Sequence, residues 1–379
     1  MFEFGVRARE LLHVRGLSLR AAARSLYVDH AYLSRVLSGR QKPSADLVER
    51  LDELLRADGV LLALMPDPEP ADEVERISGA LGNRYRPDDA VADWVARCLV
   101  EHRLVEDRIG GAAILPVVKA QLATVDQLRG DADGHVRDRL LQLGSEYGQF
   151  LGWVYEDARD FTNATRWYDL TGELAIEAGN PNMAATVRSM KAHAAWLQND
   201  GFRTVRLAEA ALWHDGRVAP GVDALSLAQL ARGHAMQNDP DAAHRALDRA
   251  RERWDASAAD PDSEPPWVYF SGPTWYLHQQ ALVEIELGRG DAAVSLLDDA
   301  VKALPESYHR DRVRFLAFKA RALVLTGELA AAADLAEGLA PDAVALNGSA
   351  VHDLRGVATT ISGQLPVRGR ELAAVLKAG

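Results

Sequence analysis

A single cysteine, Cys98, occurs in the 379 residues. No internal disulfide can form, and a reducing cytoplasm is the compartment that fits such a count. Nor is there any stretch of eighteen apolar residues, which excludes a membrane-spanning helix of ordinary length. The first twelve residues, MFEFGVRARELL, carry no apolar core of a secretory leader, so the expectation is a soluble, cytoplasmic protein with no membrane partner. β-Branched runs are few, whereas Ala, Leu, Arg, Asp and Glu dominate, and these residues favour helix. Lysine is scarce too. It supplies six of the 43 basic side chains and arginine the rest, a mark of GC-rich coding as in an actinobacterium.

Signatures of catalysis are missing. The chain has no HExxH, no GxxxxGK(S/T), no GxSxG, no CxxC and no glycine-rich loop after a strand, so no enzymatic activity is expected. Its eleven histidines include no pair at i, i+3 or i+4 on a helix, so neither a metal nor another cofactor is expected. Acidic pairs such as Asp298 and Asp299 fall on outward helical faces.

Charge is unevenly distributed. The net charge is −12, yet residues 7–42 hold eight Arg or Lys against only Glu10 and Asp29, and residues 66–379 hold 33 basic against 47 acidic side chains. A polyanion would be attracted at one end and repelled along the rest. The length permits two or three domains with a large core.

The basic segment is patterned as two short helices and a turn. Ser18 is placed to cap a helix bearing Leu19, Ala22, Ala23 and Leu26 on one side and Arg20 and Arg24 on the other, ending near Tyr27. Asp29 is placed to cap a second helix over 30–37, with Leu33, Val36 and Leu37 as its apolar stripe and Gly39 as its stop. A helix over 4–13 precedes the pair. A further one over 45–55, capped by Ser44, follows with Leu47, Val48, Leu51, Leu54 and Leu55 along one side. Asp58-Gly59 then breaks the chain, and PDPEP at 66–70 reads as an extended linker.

The run AAARSLYVDHAYLSRVLSGRQKPS resembles the helix-turn-helix domain of the phage-repressor-like XRE family. Ser34, Arg35, Gly39, Arg40, Lys42 and Pro43 fall in step with that family's Ser-Arg and Gly-basic-x-basic-Pro pattern, while Leu19 departs from its usual Gln. The resemblance implies double-stranded operator DNA as partner, with the second helix in the major groove. His30, Ala31, Ser34 and Arg35 then reach base edges, and Arg20, Arg24, Tyr32, Arg40, Gln41 and Lys42 meet phosphates.

Residues 71–130 read as helices without a clear repeat, the longest over 89–108. From about 134 paired helices recur. The segment over 147–175 resembles a tetratricopeptide (TPR) unit through Leu151, Gly152, Tyr155, Phe161 and Ala164, with Gly148 replacing the usual Trp. Tyr155, Phe161 and Trp167 are expected in the core. WLQNDGF at 196–202 and AMQNDPD at 235–241 repeat a Gln-Asn-Asp turn, and GRGDAA at 288 and TGELAAAA at 326 mark two more, for about five helix pairs. Aligning the turns puts Glu146, Gln149, Trp153, Arg232, Trp275, His278, Arg314 and Arg321 on the inner surface, where a peptide or small-molecule effector would sit.

The fold class expected is therefore all-α: a helix-turn-helix domain over 1–65, a linker over 66–70, a helical connecting region over 71–130 and a TPR-like solenoid over 131–379 for sensing and dimerisation. The combination resembles the RRNPP group of quorum-sensing regulators and related actinobacterial regulators. It implies a cytoplasmic homodimer whose transcriptional control responds to a ligand in the repeats. The alternative is a TPR scaffold that recruits a protein partner to DNA.

Overall fold

The computed structural model describes residues 2–26, 28, 30–38, 43, 45–64, 70–214, 216–270, 272–305, 308–346 and 348–377. Every regular element among them is helical, with twenty α-helices, two short 3-10 turns and no strand. No helix among the described residues is long and apolar enough to cross a membrane. The chain divides into two compact units, Met1–Ser78 and Gly79–Gly379.

The first unit holds α1 (Phe2–Val14), α2 (Leu19–Ser25), α3 (His30–Leu37), α4 (Ala45–Leu55) and α5 (Val60–Ala63). α6 (Pro70–Leu81) starts at the last proline of PDPEP and runs across the division between the units. Apolar residues at helical spacing meet in one core: Phe4, Ala8 and Leu12 from α1, Ala22 and Ala23 from α2, Leu33, Val36 and Leu37 from α3, and Leu47, Leu51 and Leu55 from α4. Truncating any of the fully buried leucines would cost roughly 2–5 kcal/mol.

Close approach replaces side-chain contact where α1 meets α3. A Cβ at Gly5 would lie 2.1 Å from the Leu37 carbonyl oxygen, so no other residue fits there without moving the helix. The exposed carbonyls at helix ends are claimed by arginines. Arg50 Nη1 donates to Leu26 O at 2.9 Å, and Arg15 Nε donates to Leu55 O at 3.0 Å. Ser18 Oγ accepts from the Ala21 N–H at 3.2 Å and so caps α2. The caps expected of Asp29 and Ser44, the stop at Gly39 and residues 66–69 of the linker lie outside the described residues.

The second unit begins with a hairpin of α7 (Asp89–Ile109) and α8 (Gly111–Asp131), joined at Gly110 with φ 83°. Six helix pairs follow: α9 (Gly134–Asp157) with α10 (Phe161–Glu177), α11 (Pro181–Leu197) with α12 (Gly201–Ala211), α13 (Pro220–Met236) with α14 (Pro240–Ala259), α15 (Pro273–Glu286) with α16 (Gly290–Ala303), α17 (His309–Thr326) with α18 (Leu329–Leu346), and α19 (Gly348–Ile361) with α20 (Pro366–Lys377). The sequence pattern marks five of these pairs; the last, α19 with α20, carries no turn of the repeated kind. From α9 to α19, each first helix packs against the next first helix, which gives the stacked layers of a helical solenoid. α7 and α8 share their core with α9 through Val95, Leu99, Val118, Val125, Leu140 and Leu151, so this hairpin is continuous with the repeats.

The repeated turn has a physical cause. Asn199 and Asn238 occupy the left-handed region at φ 59° and 57°, which Asn tolerates better than most residues. The aspartate that follows each one accepts an N–H of the next helix, Asp200 from Arg203 at 2.9 Å and Asp239 from Ala242 at 2.9 Å. Asp239→Ala is expected to cost about 1 kcal/mol. Urea denaturation of the full chain checks it, and an unchanged midpoint would show the cap to be dispensable. Within the first pair, a Cβ at Gly152 would lie 2.2 Å from the Tyr168 ring, so glycine there lets the two helices close on a buried tyrosine. That tyrosine is Tyr168. Tyr155, Phe161 and Trp167, expected in the core, are half-buried: Tyr155 and Trp167 pack against buried clusters, while Tyr168, the residue after Trp167, takes the fully buried position.

Candidate functional site

Two regions carry the chemistry, one in each unit. In the first, the stripe Leu33, Val36 and Leu37 is 0–2% exposed, which fixes the other face of α3 outward. His30 and Arg35 are exposed on that face, Ser34 is half-buried, and Tyr32 is half-buried against the core. Ser38 Oγ donates to Arg35 O at 3.0 Å and closes the helix end. From α2, Arg20 and Arg24 are exposed, since Ala22, Ala23 and Leu26 take the inward positions. The short outward face of α2 and α3 is thus basic and polar, suited to phosphate oxygens and base edges. The side chain of Ala31, and all of Arg40, Gln41 and Lys42, lie outside the described residues.

In the second unit, first helices of successive pairs bring five of the residues expected on the inner surface into one neighbourhood. Trp153 comes from α9, Arg232 from α13, His278 from α15, and Arg314 and Arg321 from α17. The Arg232 guanidinium lies 4.4 Å from the Trp196 ring centre, and that of Arg314 lies 5.5 Å from Trp153. His278 stacks on Phe315 at 4.2 Å and meets Phe318 at 5.4 Å, while Trp196 meets Phe318 at 6.3 Å. Arg321 sits 5.7 Å from the Phe318 ring and pairs with Asp353 at 3.1 Å.

The centre of this neighbourhood is Glu156, fully buried on α9. Its Oε2 accepts from the Tyr168 hydroxyl at 2.8 Å, and its Oε1 is bonded to His193 Nδ1. Burial pushes the Glu156 carboxyl up to about 8. Burial, then the positive charges of Arg232 and Arg314, hold His193 well below its ordinary value. At neutral pH the two therefore form a neutral pair, with the carboxylic acid donating to the imidazole. Arg232 is buried and bonded to Gln229 Oε1 at 2.5 Å; burial first, then Arg314, lowers it to about 9.

Two of the expected residues have partners outside this cluster: Glu146 is taken by Arg103 at 3.2 Å, and the Trp275 ring lies tilted against Trp254 at 5.9 Å. Gln149 is buried one turn before Trp153 on α9. Beside the cluster is a cleft of about 340 Å³, lined by Arg159, Trp196, Glu286, Arg321, His352 and Asp353 among others. Glu156, His193 and Trp196 are not expected here from the sequence. Each lies on a first helix, but nothing in the local pattern distinguishes it from ordinary core.

A second buried network ties α7, α9 and α17. Arg310 Nη2 donates to Asp157 Oδ2 at 2.6 Å, and its Nη1 bonds Glu106. Burial pushes Glu106 up to about 7 against the pull of Arg310. Burial works against the charge of Arg310 as well, but Asp157 and Glu106 outweigh it and raise its pKa.

The family model of a helix-turn-helix domain matches residues 3–65. It covers the whole of α1 to α5 apart from the first residue of α1. No curated protein matches the chain.

Proposed function

We propose that this protein is an XRE-like transcriptional regulator that binds operator DNA as a homodimer, and that its TPR-like repeats sense a peptide or small molecule and set its affinity for the operator. The observation that carries the reading is the helix-turn-helix domain over 3–65, whose α2 and α3 turn Arg20, Arg24, His30 and Arg35 outward. Two such domains related by a two-fold axis would engage half-sites about 34 Å apart. The sensing part is supported by the polar cluster of arginines and aromatics along the first helices of the repeats, a composition unusual for a scaffold whose only task is packing. An effector would act by binding one arrangement of the repeats more tightly than another.

Selection from sheared genomic DNA tests the DNA-binding part. Enriched fragments are expected to share an inverted repeat, and retention should fall steeply with salt. Arg35→Ala with Lys42→Ala should weaken binding to an enriched fragment by about 10–100-fold, as loss of a base contact and a phosphate contact implies. If no fragment is enriched, or if the double variant binds as well as the parent, the reading fails.

A further inference from the structure

The inner cluster holds two arginines whose charge nearby carboxylates, Glu156, Glu286 and Asp311, meet only from a distance. Arg232 is 2% exposed, and the Nε atoms of Arg232 and Arg314 are both buried without a hydrogen-bond partner. Neither guanidinium forms an ion pair with a carboxylate among the described residues, in contrast to Arg103, Arg310 and Arg321 of the same unit. Of the acids whose charge acts on the pair, Asp311 lies one turn before Arg314 on α17 without an ion pair to it, and Glu156 is occupied by Tyr168 and His193. Glu286 is bonded to the Trp196 indole N–H at 3.0 Å and lies 3.8 Å from Arg321. His278 Nε2 is a third buried ring or side-chain nitrogen with no partner. A buried cation and a half-buried one, each with an unpartnered Nε, are costly unless something anionic meets them.

We propose that Arg232 and Arg314 form a binding site for the carboxylate of a small organic acid, whose apolar body packs against Trp153 and Trp196. The proposal rests on the sensor reading above and names the chemical class of its effector. The side edge of a guanidinium, Nε with one Nη, matches the two oxygens of a carboxylate. In Arg232 and Arg314 the Nε of that edge is buried and has no hydrogen-bond partner. The flanking walls are aromatic, with Trp196 4% exposed and shared with the adjoining cleft of about 340 Å³. Such walls favour an acid with a hydrocarbon or aromatic body over a strongly hydrated inorganic anion. The same carboxylate chemistry occurs on a free acid and at the C-terminus of a short peptide, and Arg314, being only half-buried, leaves the approach to the pair open.

The test titrates the full chain with benzoate, 4-phenylbutyrate, inorganic phosphate and a hydrophobic tripeptide, the last as free acid and as C-terminal amide. Tryptophan fluorescence and the thermal midpoint are followed. At ~10 mM, which fills most of a millimolar site, a carboxylate that binds should raise the midpoint by a few degrees and change the fluorescence. Phosphate and the amide should do neither. Response to the short acids assigns the site to free acids, and response to the tripeptide acid alone assigns it to a peptide terminus; both support the carboxylate. Arg232→Met and Arg314→Met should each abolish the response. In addition, Arg232→Met should raise the ligand-free midpoint, because it removes a buried charge that no carboxylate contacts directly. The proposal is overturned if no carboxylate shifts the midpoint, if phosphate or the amide acts as well as the acids, or if both methionine variants respond like the parent. DNA retention separates the two readings. Carboxylate binding that leaves operator affinity unchanged preserves the site and removes the sensor. An effector that still modulates retention in Arg232→Met preserves the sensor and removes the site.

Discussion

Arg310→Ala will cost about 3–5 kcal/mol of unfolding free energy, the range found when one partner of a buried ion pair is removed. Arg310 is 7% exposed and is the cation between Glu106 on α7 and Asp157 on α9. Without it, two buried acids face each other with no positive charge between them, and water cannot easily replace the lost hydrogen bonds. The contact is long in sequence, spanning 204 residues to Glu106 and 153 to Asp157, so its loss also frees α17 from the first hairpin of the unit. Arg368 provides the control. It bonds Asp334 at 2.6 Å and Glu337 at 2.7 and 2.8 Å on the surface, and its removal should leave the denaturation midpoint nearly unchanged. Arg310→Met combined with Glu106→Gln and Asp157→Asn should recover much of the loss, since no lone charge then stays buried. Equal midpoints for Arg310→Ala and Arg368→Ala in urea would refute this account of the network.

The second large effect concerns pH. The Glu156 carboxyl, pushed up to about 8 by burial, keeps its proton in the folded chain at pH values where the unfolded chain has released it. A folded-state pKa above the unfolded one means stability present at low pH and lost as pH rises through the folded value. Between pH 6.5 and 8.5 this one group should remove on the order of 2 kcal/mol, since each tenfold fall in proton activity costs the protonated fold about 1.4 kcal/mol relative to the ionised unfolded chain. His193 contributes little there: it stays neutral in the fold, and its own penalty appears as pH falls below about 6.5, where the unfolded imidazole charges. Glu156→Gln keeps the shape, accepts from Tyr168 and donates to His193 without a titrating proton. Its stability should therefore decline less over the same interval, with the gap between variant and parent widening toward pH 8.5. A residual slope from Glu106, raised to about 7, remains in both proteins. Parallel stability curves across the interval would show that Glu156 is ionised in the fold.

Much of the architecture was legible locally. The small residues Ala22 and Ala23, the cap at Ser18 and the stripe Leu33, Val36, Leu37 lie within twenty residues of one another, and helical periodicity alone assigns their inward and outward faces. The Asn-Asp turns were legible for a similar reason, because the left-handed residue and the cap act within four positions. Arg232, His278 and Arg314 lie on first helices, as expected from aligning the turns that follow those helices. Glu146 and Trp275 show the limit of that alignment: both are on first helices, but Arg103 and Trp254 claim them, and neither partner adjoins them in sequence.

By itself, then, the sequence determined the helical class, the helix-turn-helix pattern with its basic outward face, and the alternation of turns that divides the rest into pairs. Each of these follows from dihedral preference, capping and hydrophobic period, which act over a few residues. Only the tertiary structure decided that Glu156, His193 and Trp196 come together beside the arginines of the first helices, that Arg232 and Arg314 meet there without an ion pair among the described residues, and that Arg310 bridges α7 and α9. Those outcomes depend on which side chains the stacking of separate helices brings within a few ångströms. A one-residue change in helix register turns a side chain by about 100°, and no local signal carries that information.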